Sequence, residues 1–191
     1  MLEQSPYAEE LLKEEATLLL AGIMLDTKTF THSTGAQPFT AVHYLYERGA
    51  HTNVTRLFFY ESLDDLLTAS DFGTRTRIYR DRVAITWLKP NQIRSDKINE
   101  RTAAAKAADK LMTIRGIDAS FALVNVGDHA VSISARSGDA INVQIIMEKL
   151  GGGGHFDMAG AQLQDTSLAY ACELLKGAID DYLDHEGAQV K

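Results

Sequence analysis

With 191 residues, 45% of them hydrophobic and 24% charged, the chain has an ordinary globular composition, which excludes a disordered or fibrous protein and suits one large domain or two small ones. Nineteen Lys and Arg against 26 Asp and Glu leave a net charge of −7. That balance argues against a binder of duplex DNA, whose affinity rests on neutralising many phosphates. A single cysteine, Cys172, permits no intrachain disulfide and excludes zinc ribbons, in keeping with a reducing cytosol.

In chain order, Met1 to Glu15 scatters Glu3, Glu9, Glu10, Lys13, Glu14 and Glu15 among leucines, so it lacks the cationic-then-apolar order of a leader. The longest nearly apolar run, Ala16 to Leu25, is ten residues, about half of what a bilayer needs. Helical spacing runs from Pro6 to about Leu20, with Ser5 as N-cap and Glu9 and Glu10 in the early turns. Ala21 to Leu25 reads as a short buried segment that delivers Asp26 at its end. A helix is predicted over Pro38 to Arg48, stopped by Gly49. One or two short helices follow over 51–71, where Ser62-Leu63-Asp64-Asp65 supplies a capping signal.

After Gly73 the pattern changes. Arg77 to Arg80 and Val83 to Leu88 read as strands, ended by Lys89-Pro90-Asn91. Asp96 to Arg115 is an alanine-rich amphipathic helix closed by Gly116. Ile117 to Val126 and Ala130 to Arg136 form a hairpin joined at Gly127-Asp128. Ile141 to Leu150 is a helix with Ile145, Ile146 and Leu150 on one side. Four glycines lead to a short strand at Ala161 to Leu163 and a last helix from Ser167 to about His185. The order β-β-α-β-β-α-β-α predicts an α/β unit preceded by a mostly helical piece.

Chemistry concentrates in Gly151-Gly152-Gly153-Gly154-His155. One glycine after a helix is routine capping, but four each cost entropy on ordering. The run is either a loose connection or a backbone that approaches an anion and offers it several N–H groups, with His155 as a further donor. Strand alternation over Ala130 to Ser137 puts Ser132, Ser134 and Arg136 on one face. Arg136 there is either a phosphate fork or a solvated strand arginine. Asp26 is either a ligand group at a strand end or the cap of the next turn. His32, His43, His51, His129, His155 and His185 complete no metal set, and a nucleophile elbow, a P-loop and a dinucleotide-binding glycine motif are absent.

Ile133-Ser134-Ala135-Arg136-Ser137, Ile141-Asn142-Val143-Gln144-Ile145-Ile146-Met147-Glu148 and the glycine run together resemble the DHH-associated domain. Within that group they look most like bacterial cyclic-di-AMP phosphodiesterases whose full-length forms are membrane-anchored. Ala21-Gly22-Ile23-Met24-Leu25-Asp26-Thr27-Lys28-Thr29-Phe30 is similar to the last motif of the preceding DHH domain. The resemblance implies an α/β fold: the truncated end of a DHH domain over 1–72, then a small DHH-associated substrate-binding domain with a mixed sheet over 73–191. It implies hydrolysis of cyclic-di-AMP to linear pApA with two manganese ions. Asp26 matches a metal-ligand aspartate, Arg136 with Ser137 the substrate-binding arginine segment, and Gly151, Gly152, Gly153, Gly154 and His155 the phosphate-gripping loop.

The family's earlier metal motifs, His-x-Asp-x-Asp and Asp-His-His, are missing from this sequence and are expected before Met1. The chain therefore reads as a cytoplasmic, carboxy-terminal portion that lacks its amino-terminal DHH partner and does not turn over alone. Ser33 and Gln37 stand where arginines are common in the family. A homodimer is a further expected partner. Two other readings stay open: a nanoRNase or single-strand exonuclease acting on short oligonucleotides, and a non-catalytic nucleic-acid-binding or dimerisation module like the tail domain of alanyl-tRNA synthetases.

Overall fold

The computed structural model describes residues 10–31, 35–94, 99–127 and 129–189. The predicted N-cap Ser5 with Pro6 and Glu9, the loop residues His32 and Ser33, the helix start at Asp96 and the turn residue Asp128 lie outside them. The chain divides into two compact units, Met1–Glu61 and Ser62–Lys191.

The first unit is helical: α1 (Lys13–Asp26), α2 (Ala36–Glu47) and α3 (Thr52–Leu57). Glu14 and Glu15 sit in the first turn of α1, where the helix dipole favours acids, and Glu15 accepts from the Leu12 N–H at 3.0 Å. Gly49, at φ +86°, ends α2. Its N–H donates to the Tyr46 carbonyl at 2.9 Å, and the Ala50 N–H donates to Leu45 at 3.0 Å, the paired bonds of a Schellman stop. Ala16, Leu20, Leu45 and Ala50 form a small core. Ala21 to Leu25 is not a separate segment, because α1 runs through it to Asp26. A stretch that is apolar all round has no period to distinguish strand from helix.

The second unit opens with α4 (Leu63–Arg75), capped reciprocally by Ser62 and Asp65. The boundary expected after residue 72 falls inside this helix, whose buried Phe72 shares a core with Leu88, Ala104 and Val124. There follow β1 (Arg77–Tyr79), β2 (Val83–Leu88), a 3₁₀ turn, α5 (Glu100–Leu111), β3 (Ala119–Val126), β4 (Ala130–Ser137), α6 (Val143–Glu148), β5 (Gly153–Gly154), β6 (Met158–Gln164) and α7 (Leu168–Gln189). The predicted order holds, with β5 as an added strand inside the glycine run. The sheet order is β1-β2-β3-β4-β6-β5. Among the described strands β2 and β3 alone pair in parallel, and the other neighbours are antiparallel.

Helices cover both faces of the sheet. On one, Val83, Ile85, Phe121, Leu123, Val131 and Ile133 pack against α6 and α7. On the other, Ala103, Ala104, Ala107 and Ala108 of α5 lie against Ala122 and Val124, and small side chains let that helix approach closely. Two buried hydroxyls fasten this face: Thr86 donates to the Phe72 carbonyl at 2.6 Å and Ser120 to Ala108 at 2.7 Å, so neither is left unsatisfied. α6 is only six residues long and turns Val143, Ile146 and Met147 inward, leaving Ile145 exposed rather than on the packed side. Tyr79 and Arg80 hold α7 through Asp180, and Arg80 reaches Asp184 as well. No helix among the described residues is long and apolar enough to cross a membrane.

Candidate functional site

The glycine run is ordered chain, and three of its four glycines have reasons within the fold. Gly151, at φ +74°, ends α6: its N–H donates to Glu148 at 3.0 Å and that of Gly152 to Met147 at 2.9 Å, again a Schellman stop. A Cβ on Gly152 would strike the Gly160 carbonyl and come within 2.7 Å of Ala161 Cα. A Cβ on Gly154 would meet the Met158 carbonyl and lie 2.5 Å from Ala159 Cα, and its φ is +152°. These two glycines are required for β5 to lie against β6. Gly153 differs, since a Cβ there meets nothing within 4 Å and its φ is not left-handed. The fold does not demand a glycine at that position.

The backbone donors are largely committed. Besides Gly151 and Gly152, the His155 N–H donates to Met158 at 2.7 Å. The expected multi-amide anion cradle is thus reduced, and the open face of Gly153 and the exposed imidazole of His155 are what the run offers. Ser137 braces the loop beyond it. Its N–H donates to the Asp157 carbonyl at 2.9 Å and its hydroxyl to the Phe156 carbonyl at 3.1 Å, while Val143 N–H donates to Phe156 from the other side at 3.0 Å. Ser137 therefore positions the loop.

Arg136 pairs in register with Met158, and Met158 bonds His155, so the three line up across β4, β6 and the chain following β5. At strand spacing this sets the Arg136 and His155 backbones about 10 Å apart. The arginine is neither solvated nor free: its side chain is 12% exposed, Nε donates to Asp109 of α5 at 3.1 Å, and one terminal nitrogen donates to its own chain at Ala135. Strand alternation gives the face of Arg136, but not a partner on α5. Phe156 and Met158 are both exposed beside His155, and no pattern in the sequence marks them for the site. The one sequence signal for Phe156 is an aromatic residue directly after the histidine.

Asp26 belongs to the first unit and is not at a strand end. It is the exposed last residue of α1, where the helix dipole disfavours an acid. The backbone beyond it is unusual: Lys28, Thr29 and Phe30 all take positive φ, at 45°, 60° and 65°, a conformation that costs a non-glycine residue about 1 kcal/mol or more. The buried Thr27 holds this turn by donating to Ile23 at 2.7 Å and accepting from Phe30 N–H at 3.0 Å. Gln37 is exposed in the first turn of α2. Among the described residues no group of three His, Cys, Asp or Glu side chains converges to hold a metal ion.

Residues 81–183 match the model of the DHHA1 domain. The chain is 40% identical over 184 residues to the cyclic-di-AMP phosphodiesterase GdpP of Bacillus subtilis, a match covering 96% of this chain and 28% of that protein. It is 41% identical over 182 residues to the cyclic-di-AMP phosphodiesterase PdeA of Listeria monocytogenes, covering 95% and 27%. The chain thus spans little more than a quarter of the length of these relatives. Among solved structures, an exopolyphosphatase-related protein of Bacteroides fragilis is similar at a TM-score of 0.82 and 19% identity, over 95% of this chain and 54% of that one. This likeness bears on the fold alone.

Proposed function

Because the chain belongs to the DHHA1 domain family, we propose that it is the substrate-gripping portion of a DHH-family phosphodiesterase that opens cyclic-di-AMP to linear pApA. The observation that carries this reading is the juxtaposition of Gly153, which the fold leaves free of any need to be glycine, with exposed His155 and with Arg136. A backbone without a side chain admits a phosphate closely, and an imidazole and a guanidinium supply charge-assisted donors. Exposed Phe156 adds a ring against which a base can stack. The resemblance to two cyclic-di-AMP phosphodiesterases at 40% and 41% identity supports the choice of ligand.

The chemistry in this reading is attack of water on one phosphodiester, and the residues described here bind and orient the nucleotide for it. They do not by themselves fit a manganese pair, because no three metal-binding side chains converge among them. Asp26 would contribute one carboxylate, presented by the strained turn at Thr27 to Phe30, with the other ligands coming from an amino-terminal DHH portion. The first unit supports such a partner surface. Leu18, Leu25, Phe39, Leu57, Phe58 and Tyr60 are all exposed there, more large apolar side chains than a small unit with so thin a core ordinarily shows to water. The chain alone is then expected to bind manganese weakly and not to turn over, as a cytoplasmic segment of a membrane-anchored parent.

Isothermal titration with cyclic-di-AMP tests the grip. Loss of one charge-assisted phosphate contact costs about 1.5–3 kcal/mol, so His155→Ala and Arg136→Ala should each weaken binding tenfold to a hundredfold. Equal heats for the two variants and the parent chain would remove the assigned grip.

A further inference from the structure

The opposite end of the same sheet holds a cavity of about 950 Å³ that the phosphodiesterase reading does not use. It opens where the cover of α7 begins. Along β2, Val83 and Ile85 are 0% and 2% exposed beneath the helices, whereas Trp87, next in the same phase, is only partly buried and lines the space with Leu168 and Cys172. Along β3, Phe121 and Leu123 are fully buried on that face, and the next residue in phase is Asn125, which lines the cavity. An amide where alternation calls for an apolar side chain is a local rule broken, the kind of departure that marks functional positions. The Asn125 amide has no hydrogen-bond partner, and the Lys89 ammonium no carboxylate, among the described residues.

We propose that this cavity is a second ligand site, distinct from the His155 end, and that it takes a planar nitrogen heterocycle carrying an anionic group. Its volume lies in the range of small-molecule pockets, which join apolar walls to a few polar groups. The indole of Trp87 offers a stacking face. Asn125 offers one acceptor and two donors to the edge of a ring. Lys89 at the rim supplies the positive charge. Of the other charges lining the space, Glu173 is paired with Lys176 at 2.9 Å, while Asp165 and His129 line it as exposed side chains. Burial pushes the Cys172 thiol up from its ordinary pKa, which keeps this wall uncharged at neutral pH.

Trp87 is the sole tryptophan and Cys172 the sole cysteine of the chain, so the cavity carries its own reporters. Adenosine 5′-monophosphate is the probe, with adenosine lacking the anion and ribose 5-phosphate lacking the ring as controls. The monophosphate should change Trp87 fluorescence saturably and slow alkylation of Cys172, and each control should bind at least tenfold more weakly. Lys89→Ala and Asn125→Ala should each weaken the monophosphate's effect on Trp87 about tenfold. Three results would overturn the site: no saturable signal at millimolar probe, equal responses to the monophosphate and ribose 5-phosphate, or loss of the signal in His155→Ala with Lys89→Ala and Asn125→Ala unaffected. The last result would put the ligand at the glycine end instead. A null titration here leaves the cyclic-di-AMP grip untouched, because that grip is tested at His155 and Arg136.

Discussion

Where β4 ends, a glycine run lays backbone bare between a few exposed side chains; where β2 ends, side chains wall a cavity. At the first end Gly153 exposes bare backbone, His155 stands out with Phe156 and Met158 exposed beside it, and Arg136 is held against Asp109. At the second, an indole, an amide and an ammonium surround about 950 Å³. A surface of backbone and charge can follow the outline of a phosphate but has little shape of its own, so its selectivity must come from whatever closes over it. A walled cavity selects by shape unaided. One sheet thus supports two modes of recognition, and the strands between the ends couple their stabilities.

The largest expected effect tests that coupling. Phe121 of β3 is fully buried midway between the ends, and Phe121→Ala should cost about 3–5 kcal/mol. In urea unfolding, Trp87 fluorescence and far-ultraviolet dichroism should shift together. Separate transitions would mean that the ends fold independently.

A sharper contrast lies within the glycine run. Gly152→Ala drives a methyl group into β6 and should destabilise the chain by about 1–3 kcal/mol, read as a fall in the urea midpoint. Gly153→Ala should stay within about 0.5 kcal/mol of the parent yet weaken cyclic-di-AMP at least tenfold. Equal stability losses in the two variants would make Gly153 a structural glycine like its neighbours.

The smallest effect falls at the border of the sheet, where β1 is tied to α7. The hydrogen bond from the Tyr79 hydroxyl, and then Arg80, hold the Asp180 carboxyl below its ordinary pKa, against an opposing push from burial. A carboxyl depressed in the folded state contributes its full stability above its unfolded pKa, about 3.9, and loses it as the pH falls through the depressed value. Asp180→Asn should therefore lower the melting temperature slightly at pH 7 and flatten its decline below about pH 4. The side chain is 37% exposed, so solvent screening keeps the contribution under about 1 kcal/mol. An unchanged acid limb would show that this tie carries no stability.

Much of the second unit was legible because its signals are local. Ser62 and Asp65 cap α4 through bonds three residues apart, and the alternation of residues 130–136 gives the two faces of β4. The rest depended on partners distant in sequence. β5 could not be read from a pattern, because glycines carry no side-chain period. What makes β5 a strand is the room that β6 leaves for it. Arg136 finds Asp109 across 27 positions, and alternation is silent about what a face will meet. The strand-end alternative for Asp26 fails because Leu18 to Leu25 offers no polar position from which to count a period, and α1 runs through it to Asp26.

The margins of the sheet have a consequence for self-association. β5 is two residues long and β1 three, so each border offers an incoming strand only a stub of main-chain donors and acceptors. Zippering of one copy onto another by strand addition is poorly templated at either side. A dimer of this domain would have to be made by side chains, and single surface substitutions should then be enough to dissolve it.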